Sequence, residues 1–141
     1  MGSLKPVSCQ AERERHLGQQ TLDLHVEVRS LPSTELLQAA PGESTASIRA
    51  RCAGARQHAM ERQGKSNHAL QGREIDQHLQ LDDAAVKLLN VAATRLGWSA
   101  RGTHRVLKLA RTIADLAQAR GTEVSHLAEA MQYRMALRPG H

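Results

Sequence analysis

The sequence predicts an all-α protein, a small helical bundle with a leading strand and a flexible N-terminal segment, and three observations carry that reading. Aromatic residues are limited to Trp98 and Tyr133, with no phenylalanine, so the core has to be assembled from Leu, Val, Ile, Ala and Met. β-Sandwiches and barrels draw on aromatic and β-branched side chains, and the first kind is nearly missing here. From Ser44 onward, apolar residues recur at helical spacing between residues suited to start helices (Ser44, Asp82, Ser99, Ser125) and residues suited to end them (Gly64, Gly97, Gly121). At 141 residues, 40% hydrophobic and 23% charged, the chain has material for one ordinary domain with a loose tail and not for two.

Taken in order, residues 1–21 mix Lys5-Pro6, Gly18 and the run Glu12-Arg13-Glu14-Arg15 without an apolar stripe, and read as a disordered leader. Met1 to Lys5 carries no apolar stretch leading to a small-residue cleavage site, so no secretory signal is read and the expected location is the cytoplasm. Residues 22–43 form a junction. Leu22-Asp23-Leu24-His25-Val26-Glu27-Val28 alternates strictly, which sets the four apolar residues on one face of a strand. No second segment of this quality stands ready to pair with it, so its partner lies outside the chain, or in another copy, or the strand is lost. Pro32 and Pro41-Gly42 bracket a short helix at Ser33–Ala39. Residues 44–138 are the bundle proper: a long helix from Ser44 to about Gln63, a short one over Gln71–Leu79, and a stronger one after Asp82 with Ala85, Leu88, Leu89, Ala92 and Leu96 at helical spacing. A helix capped by Ser99 is expected to run through Ala119, and a last one, capped by Ser125, from Leu127 to about Leu137. Met131 and Met135 fall one turn apart beside Leu127 and read as core filling.

Charge is distributed unevenly. Lys and Arg number 19 against 14 acids, and residues 81–141 hold nine basic and five acidic side chains. Within the helix from Ser99 there is no acid before Asp115, and Arg101, His104, Arg105, Lys108 and Arg111 fall within an arc of roughly 120° at about 100° per residue. Val106, Leu109, Ala110, Ile113, Leu116 and Ala117 occupy the opposing side, giving one buried face and one cationic face. Such a face serves the phosphates of a nucleotide, those of a nucleic-acid backbone, or solvation alone. Arg101 lies in the first turn, where free N–H groups and the positive dipole end favour an anion, and is the best phosphate contact of the set.

Several apparent motifs fail. Gly64-Lys65-Ser66 has the ending of a P-loop, but Ala59 stands where that loop needs its first glycine and a helix precedes it in place of a strand. Ser44, His58 and Glu61 supply the residue types of a hydrolase triad without the glycines of a nucleophile elbow. Cys9 and Cys52 form no CxxC, and the eight histidines show no metal-ligand spacing. No catalytic residue and no metal ligand is assigned, the chain alone is not expected to be an enzyme, and no apolar run approaches the roughly 20 residues of a membrane span.

Ordered blocks along about 120 residues resemble the C-terminal part of the Mg-chelatase-like AAA+ ATPases, in the ComM/YifB branch of bacterial competence proteins. The blocks are Leu22–Val28, Gly42-Glu43-Ser44 with Ile48-Arg49, Arg62-Gln63-Gly64-Lys65 with Asn67, and Leu96-Gly97 leading into Ser99-Ala100-Arg101. His104-Arg105-Val106-Leu107-Lys108-Leu109-Ala110-Arg111-Thr112-Ile113-Ala114-Asp115-Leu116 is the longest, and His126-Leu127-Ala128-Glu129-Ala130 with Tyr133-Arg134 completes the pattern. The resemblance implies an AAA+ lid fold, with the strand and short helix left over from the junction with an ATPase core. It also implies that Arg101, by its place in Ser-Ala-Arg, acts as sensor 2 toward the γ-phosphate of ATP, supported by His104, Arg105, Lys108 and Arg111. The expected partners are an AAA+ core domain and further copies in a ring, with ATP and Mg entering only in the full ATPase. The family-level activity implied is DNA remodelling, branch migration during natural transformation. The alternative reading of the same residues is a small helical DNA-binding module whose basic helix face contacts phosphates.

Overall fold

The computed structural model describes residues 24–28 and 30–135. The expected leader (residues 1–21), the first two residues of the expected strand, residues 136–138 at the expected end of the bundle, and the side chain of Met135 lie outside the described residues. Among the described residues there are six α-helices: α1 (Ser33–Gln38), α2 (Thr45–Gln63), α3 (Arg73–Leu79), α4 (Asp83–Leu96), α5 (Ala100–Leu116) and α6 (Val124–Met135). A 3-10 turn at Asn67–Ala69 joins α2 to α3. No helix among the described residues is long and apolar enough to cross a membrane.

Helix boundaries follow local chemistry. Ser44 Oγ accepts the Ser47 N–H at 3.2 Å, Asp82 Oδ1 accepts the Ala85 N–H at 2.6 Å and Ser99 Oγ accepts the Gly102 N–H at 3.2 Å. Each satisfies one of the donors that a helix start leaves without an intrahelical partner. Gly64 ends α2, its N–H bonded to Met60 O at 2.8 Å, and Gly97 ends α4 at φ 60°, a left-handed conformation that glycine adopts without a steric penalty. The last helix departs from expectation: α6 starts at Val124, so Ser125 lies inside it, and His126 Nδ1 accepts the Glu123 N–H at 3.1 Å. Helix α5 also stops short of Ala119. Gln118 turns left-handed at φ 57°, and the Ala119 N–H bonds back to Ala114 O at 2.9 Å.

The expected leading strand is not formed over residues 24–28. The segment's backbone bond to the bundle runs from the His25 N–H to Tyr133 O at 3.0 Å, at the end of α6, and no strand pairs with it. Val26 and Val28 are exposed, at 60% and 86%. The alternation of apolar and polar residues is real, but a ladder needs a second strand, and none of the described residues provides one.

Helix α5 is the axis of the fold. Helix α6 packs along it, and α2, the 3-10 turn and α3 cover its other sides. The core joins Leu70, Ile75, Leu79, Ala85, Leu89 and Ala92 to Val106, Leu107, Ala110, Leu127, Ala130 and Met131. Val106 and Ala110 are buried as expected, Leu109 and Ile113 are partly buried, and Leu107 and Ala114 join the interior. Leu116 and Ala117, assigned to the core side from the sequence, are exposed, while Ala114 and Asp115 beside them are buried. Helix α2 is attached differently: over its 19 residues Ala59 alone is fully buried, with Gly54, Ala55, His58, Arg62 and Gln63 half-buried, so the bundle covers only its C-terminal half.

That end is fastened by a buried polar cluster around Asp115. Asp115 Oδ1 accepts from Arg62 Nη1 at 2.7 Å and from Arg111 Nη2 at 2.9 Å and Nε at 3.2 Å. Its Oδ2 accepts from Asn67 Nδ2 at 2.8 Å and Arg62 Nη2 at 3.0 Å. Arg111 donates further to Ala119 O at 2.7 Å, Arg120 O at 3.1 Å and Thr122 Oγ1 at 3.3 Å, so all its N–H groups are used. Arg111 therefore does not belong to the exposed cationic face where helical spacing puts it. At the edge of that arc it turns inward, because Asp115 one turn later and the carbonyls of the α5–α6 turn give a buried guanidinium what water would otherwise give.

Burial pushes the Asp115 carboxyl up, but the hydrogen bonds from Arg62, Asn67 and Arg111, with the charge of Arg111, outweigh it and hold its pKa below the usual carboxylate value. Burial pulls the Arg111 guanidinium below its ordinary value, against the hydrogen bond and charge of Asp115.

Replacing Asp115 by Ala leaves two guanidinium groups facing an empty site and is expected to cost about 3–5 kcal/mol in urea unfolding. A carboxyl whose pKa is lower folded than unfolded stabilises the fold above its unfolded pKa of about 3.9 and loses that contribution as pH falls through the folded value. The urea midpoint is therefore expected to fall on acidification below about pH 4, and to fall less steeply in Asp115→Asn. Ser99→Ala is expected to cost about 1 kcal/mol and to speed amide exchange at Gly102.

Candidate functional site

The N-terminal half of α5 forms one wall of a groove of about 640 Å³. Arg101, His104, Arg105 and Lys108 line it, following one another at helical spacing, with Leu109 and Thr112 further along the same wall. From Arg101 to Lys108 the cationic wall rises about 10.5 Å at 1.5 Å per residue. The facing wall comes from the link between the 3-10 turn and α3, residues His68, Leu70, Gln71 and Gly72, and Leu24 of the extended segment borders it. No acidic side chain lines the groove among the described residues.

The facing wall is held by its own bonds. Gly72 turns the chain at φ 49° and ψ −123°, a conformation closed to residues with a Cβ. Glu74 then reaches back, accepting from the Gln71 N–H at 2.9 Å and from Lys65 Nζ. The Lys65 hydrogen bond, followed by that of the Gln71 N–H, holds the Glu74 carboxyl below the usual range, so the brace stays anionic at neutral pH. Lys108 Nζ donates to His68 O at 3.0 Å and ties the two walls together.

Four of the five basic residues read from the sequence thus meet in one groove, and the fifth, Arg111, holds the interior. Arg101 occupies the first turn of α5, exposed to solvent, and makes no hydrogen bond or ion pair among the described residues. Ser99 takes the Gly102 N–H, while the N–H groups of Ala100 and Arg101 are left at the positive end of a 17-residue helix. The arrangement is suited to an anion: one exposed guanidinium at a helix start, backed by three further basic side chains on an acid-free wall. No three His, Cys, Asp or Glu side chains gather among the described residues to hold a metal ion.

Helical periodicity did not point to His68, Leu70, Gln71, Gly72 or Leu24, which come from loops and an extended segment. One signal for the Asp115 cluster was available: Asp115 is the sole acid of α5 and stands four residues after Arg111, the spacing of an ion pair on a helix.

Residues 42–134 match the family described as magnesium chelatase, subunit ChlI C-terminal. The chain is 40% identical over 117 residues to the competence protein ComM of Haemophilus influenzae, covering 82% of this chain and 23% of that protein. It is 39% identical over 114 residues to YifB of Escherichia coli, covering 79% and 22%, and 30% identical over 138 residues to a protein of Mycobacterium tuberculosis, covering 91% and 27%. The chain spans about a quarter of the length of these curated relatives, corresponding to their C-terminal part. With the helical architecture and this match over most of its length, the chain belongs to the magnesium chelatase ChlI C-terminal family, as the C-terminal helical domain of a Mg-chelatase-like protein.

Proposed function

We propose that this domain is the nucleotide-sensing lid of a ring-forming AAA+ ATPase, with Arg101 as the sensor 2 arginine that reaches the γ-phosphate of Mg-bound ATP. The observation that carries the reading is the place of Arg101: exposed, without a partner among the described residues, at the N-terminus of α5 and at the mouth of a groove lined by His104, Arg105 and Lys108. A γ-phosphate there gains Coulomb attraction and charge-assisted hydrogen bonds, and both are lost on hydrolysis and phosphate release. Because α5 is also the axis on which α6 and α2 pack, a shift of α5 toward or away from the phosphate carries the whole lid with it. The parent activity we propose is DNA remodelling by branch migration in natural transformation, in keeping with a relative named as a competence protein. ATP and Mg act with the core domain of the parent, in the cytoplasm, and this domain alone hydrolyses nothing.

A second reading rests on the same wall. Arg101, Arg105 and Lys108, with His104, also suit the phosphates of a DNA backbone, which would make the domain a DNA-binding module.

In the full-length ATPase carrying this domain, Arg101→Ala is expected to lower ATP turnover by at least about tenfold, while Arg105→Ala and Lys108→Ala do much less. The isolated chain is expected to show no ATP hydrolysis above background. Unchanged turnover in Arg101→Ala, with duplex and forked DNA binding weakened alike by each of the three substitutions and steeply salt-dependent, would sink the sensor reading in favour of the DNA module.

A further inference from the structure

Arg134, in the last turn of α6, reaches across to the first turn of α5. A Cβ added at Gly102 would lie 3.4 Å from Arg134 Nη2, 3.5 Å from Ser99 Oγ and 3.8 Å from Trp98 Cβ, so the guanidinium sits against the backbone of the residue that follows Arg101. Arg134 Nη1 is buried and has no hydrogen-bond partner among the described residues. The contrast with Arg111 is direct: that buried guanidinium has every N–H satisfied, whereas Arg134, half-buried as a residue, keeps one desolvated nitrogen with no partner among the described residues. Arg134 belongs to the last turn of α6, whose dipole favours a cation, but its guanidinium lies against the N-terminus of α5, where the peptide dipoles already sum to positive charge. The unsatisfied buried donor adds a desolvation penalty.

A side chain kept only for packing would fill this place better without charge. What the charge adds is positive potential at the start of α5, beside the residue whose side chain enters the groove. We infer that Arg134 is a positioning residue for the anion at Arg101: it acts through its field and not by contact, raising the affinity of the α5 N-terminus for a polyphosphate at the expense of fold stability. The inference rests on the sensor reading of Arg101 and adds to it a residue on another helix, 33 positions further along the chain.

The test measures thermal melting and tripolyphosphate affinity, by calorimetric titration of the 141-residue chain at low and high salt, for the wild type, Arg134→Met, Arg134→Lys and Arg101→Ala. Arg134→Met keeps most of the length and removes the charge. It is expected to melt at or above the wild-type temperature and yet to bind tripolyphosphate about three- to tenfold more weakly at low salt, a difference that narrows at high salt. Arg134→Lys is expected to stay close to wild type in affinity. Unchanged affinity in Arg134→Met, against an affinity that Arg101→Ala does reduce, overturns the role of Arg134 and leaves the sensor reading standing. Lower melting together with weaker binding in both Arg134 variants makes the residue structural and likewise overturns it. An affinity that Arg101→Ala leaves untouched removes the sensor reading, and this inference with it.

Discussion

A single carboxylate organises the middle of this domain. Asp115 is 2% exposed and faces two guanidinium groups, one from its own helix and one from α2, with the Asn67 amide completing its shell. Removing such charges from water costs several kcal/mol per ion, and that cost is recovered only where the geometry is good and the remaining lone pairs and protons are used. Here they are used: Arg111 spends its other donors on the carbonyls of the turn after α5, and Asn67 Oδ1 accepts from Arg62 and Gln63 at 2.9 Å each. The cluster joins α2, the 3-10 turn, α5 and the α5–α6 turn through hydrogen bonds and ion pairs.

The groove depends on that junction. Its cationic wall is the first half of α5 and its facing wall leaves the 3-10 turn, so the relative placement of the two is set where Asn67 meets Asp115 and Thr112. Helix α5 is in effect divided by function. Toward its C-terminus Arg111 faces inward and is neutralised, and toward its N-terminus the basic residues face a groove with no acid in it among the described residues. The same residue type thus has opposite duties on one helix, decided by what the neighbouring segments offer it.

That division explains which parts of the structure the sequence disclosed. Helix starts at Ser44, Asp82 and Ser99 and ends at Gly64 and Gly97 are settled by bonds within four residues, and all were legible. The grouping of Arg101, His104, Arg105 and Lys108 was legible too, because it needs only the helical period. Arg111 was misplaced because an angle around a helix axis does not say which carbonyls and which second arginine will come to lie beside it. The strand expected over Leu22–Val28 and not formed over residues 24–28 shows the same limit from the other side: its period is plain, but a strand exists only by virtue of another. The start of α6 was placed three residues late, at Leu127 in place of Val124, because Ser125 has the chemistry of a cap, while the bond at the helix start is the one His126 Nδ1 accepts from the Glu123 N–H. The facing wall of the groove was hidden altogether, being a matter of where loops end up.

The lopsided attachment of α2 has a consequence for how the domain breathes. Near Gln63 its hydrogen bonds are locked to the Asp115 cluster, while residues 45–53 are exposed on all sides and held by helix propensity, the Ser44 cap and the bidentate Glu43–Arg51 pair at 2.7 and 3.1 Å. A free helical stretch of that length is marginal in water. One continuous helix therefore spans two cooperative units. Its last turns exchange their amide protons only when the core opens, whereas its first turns fray and re-form many times in between, a gradient of lifetimes along a single rod.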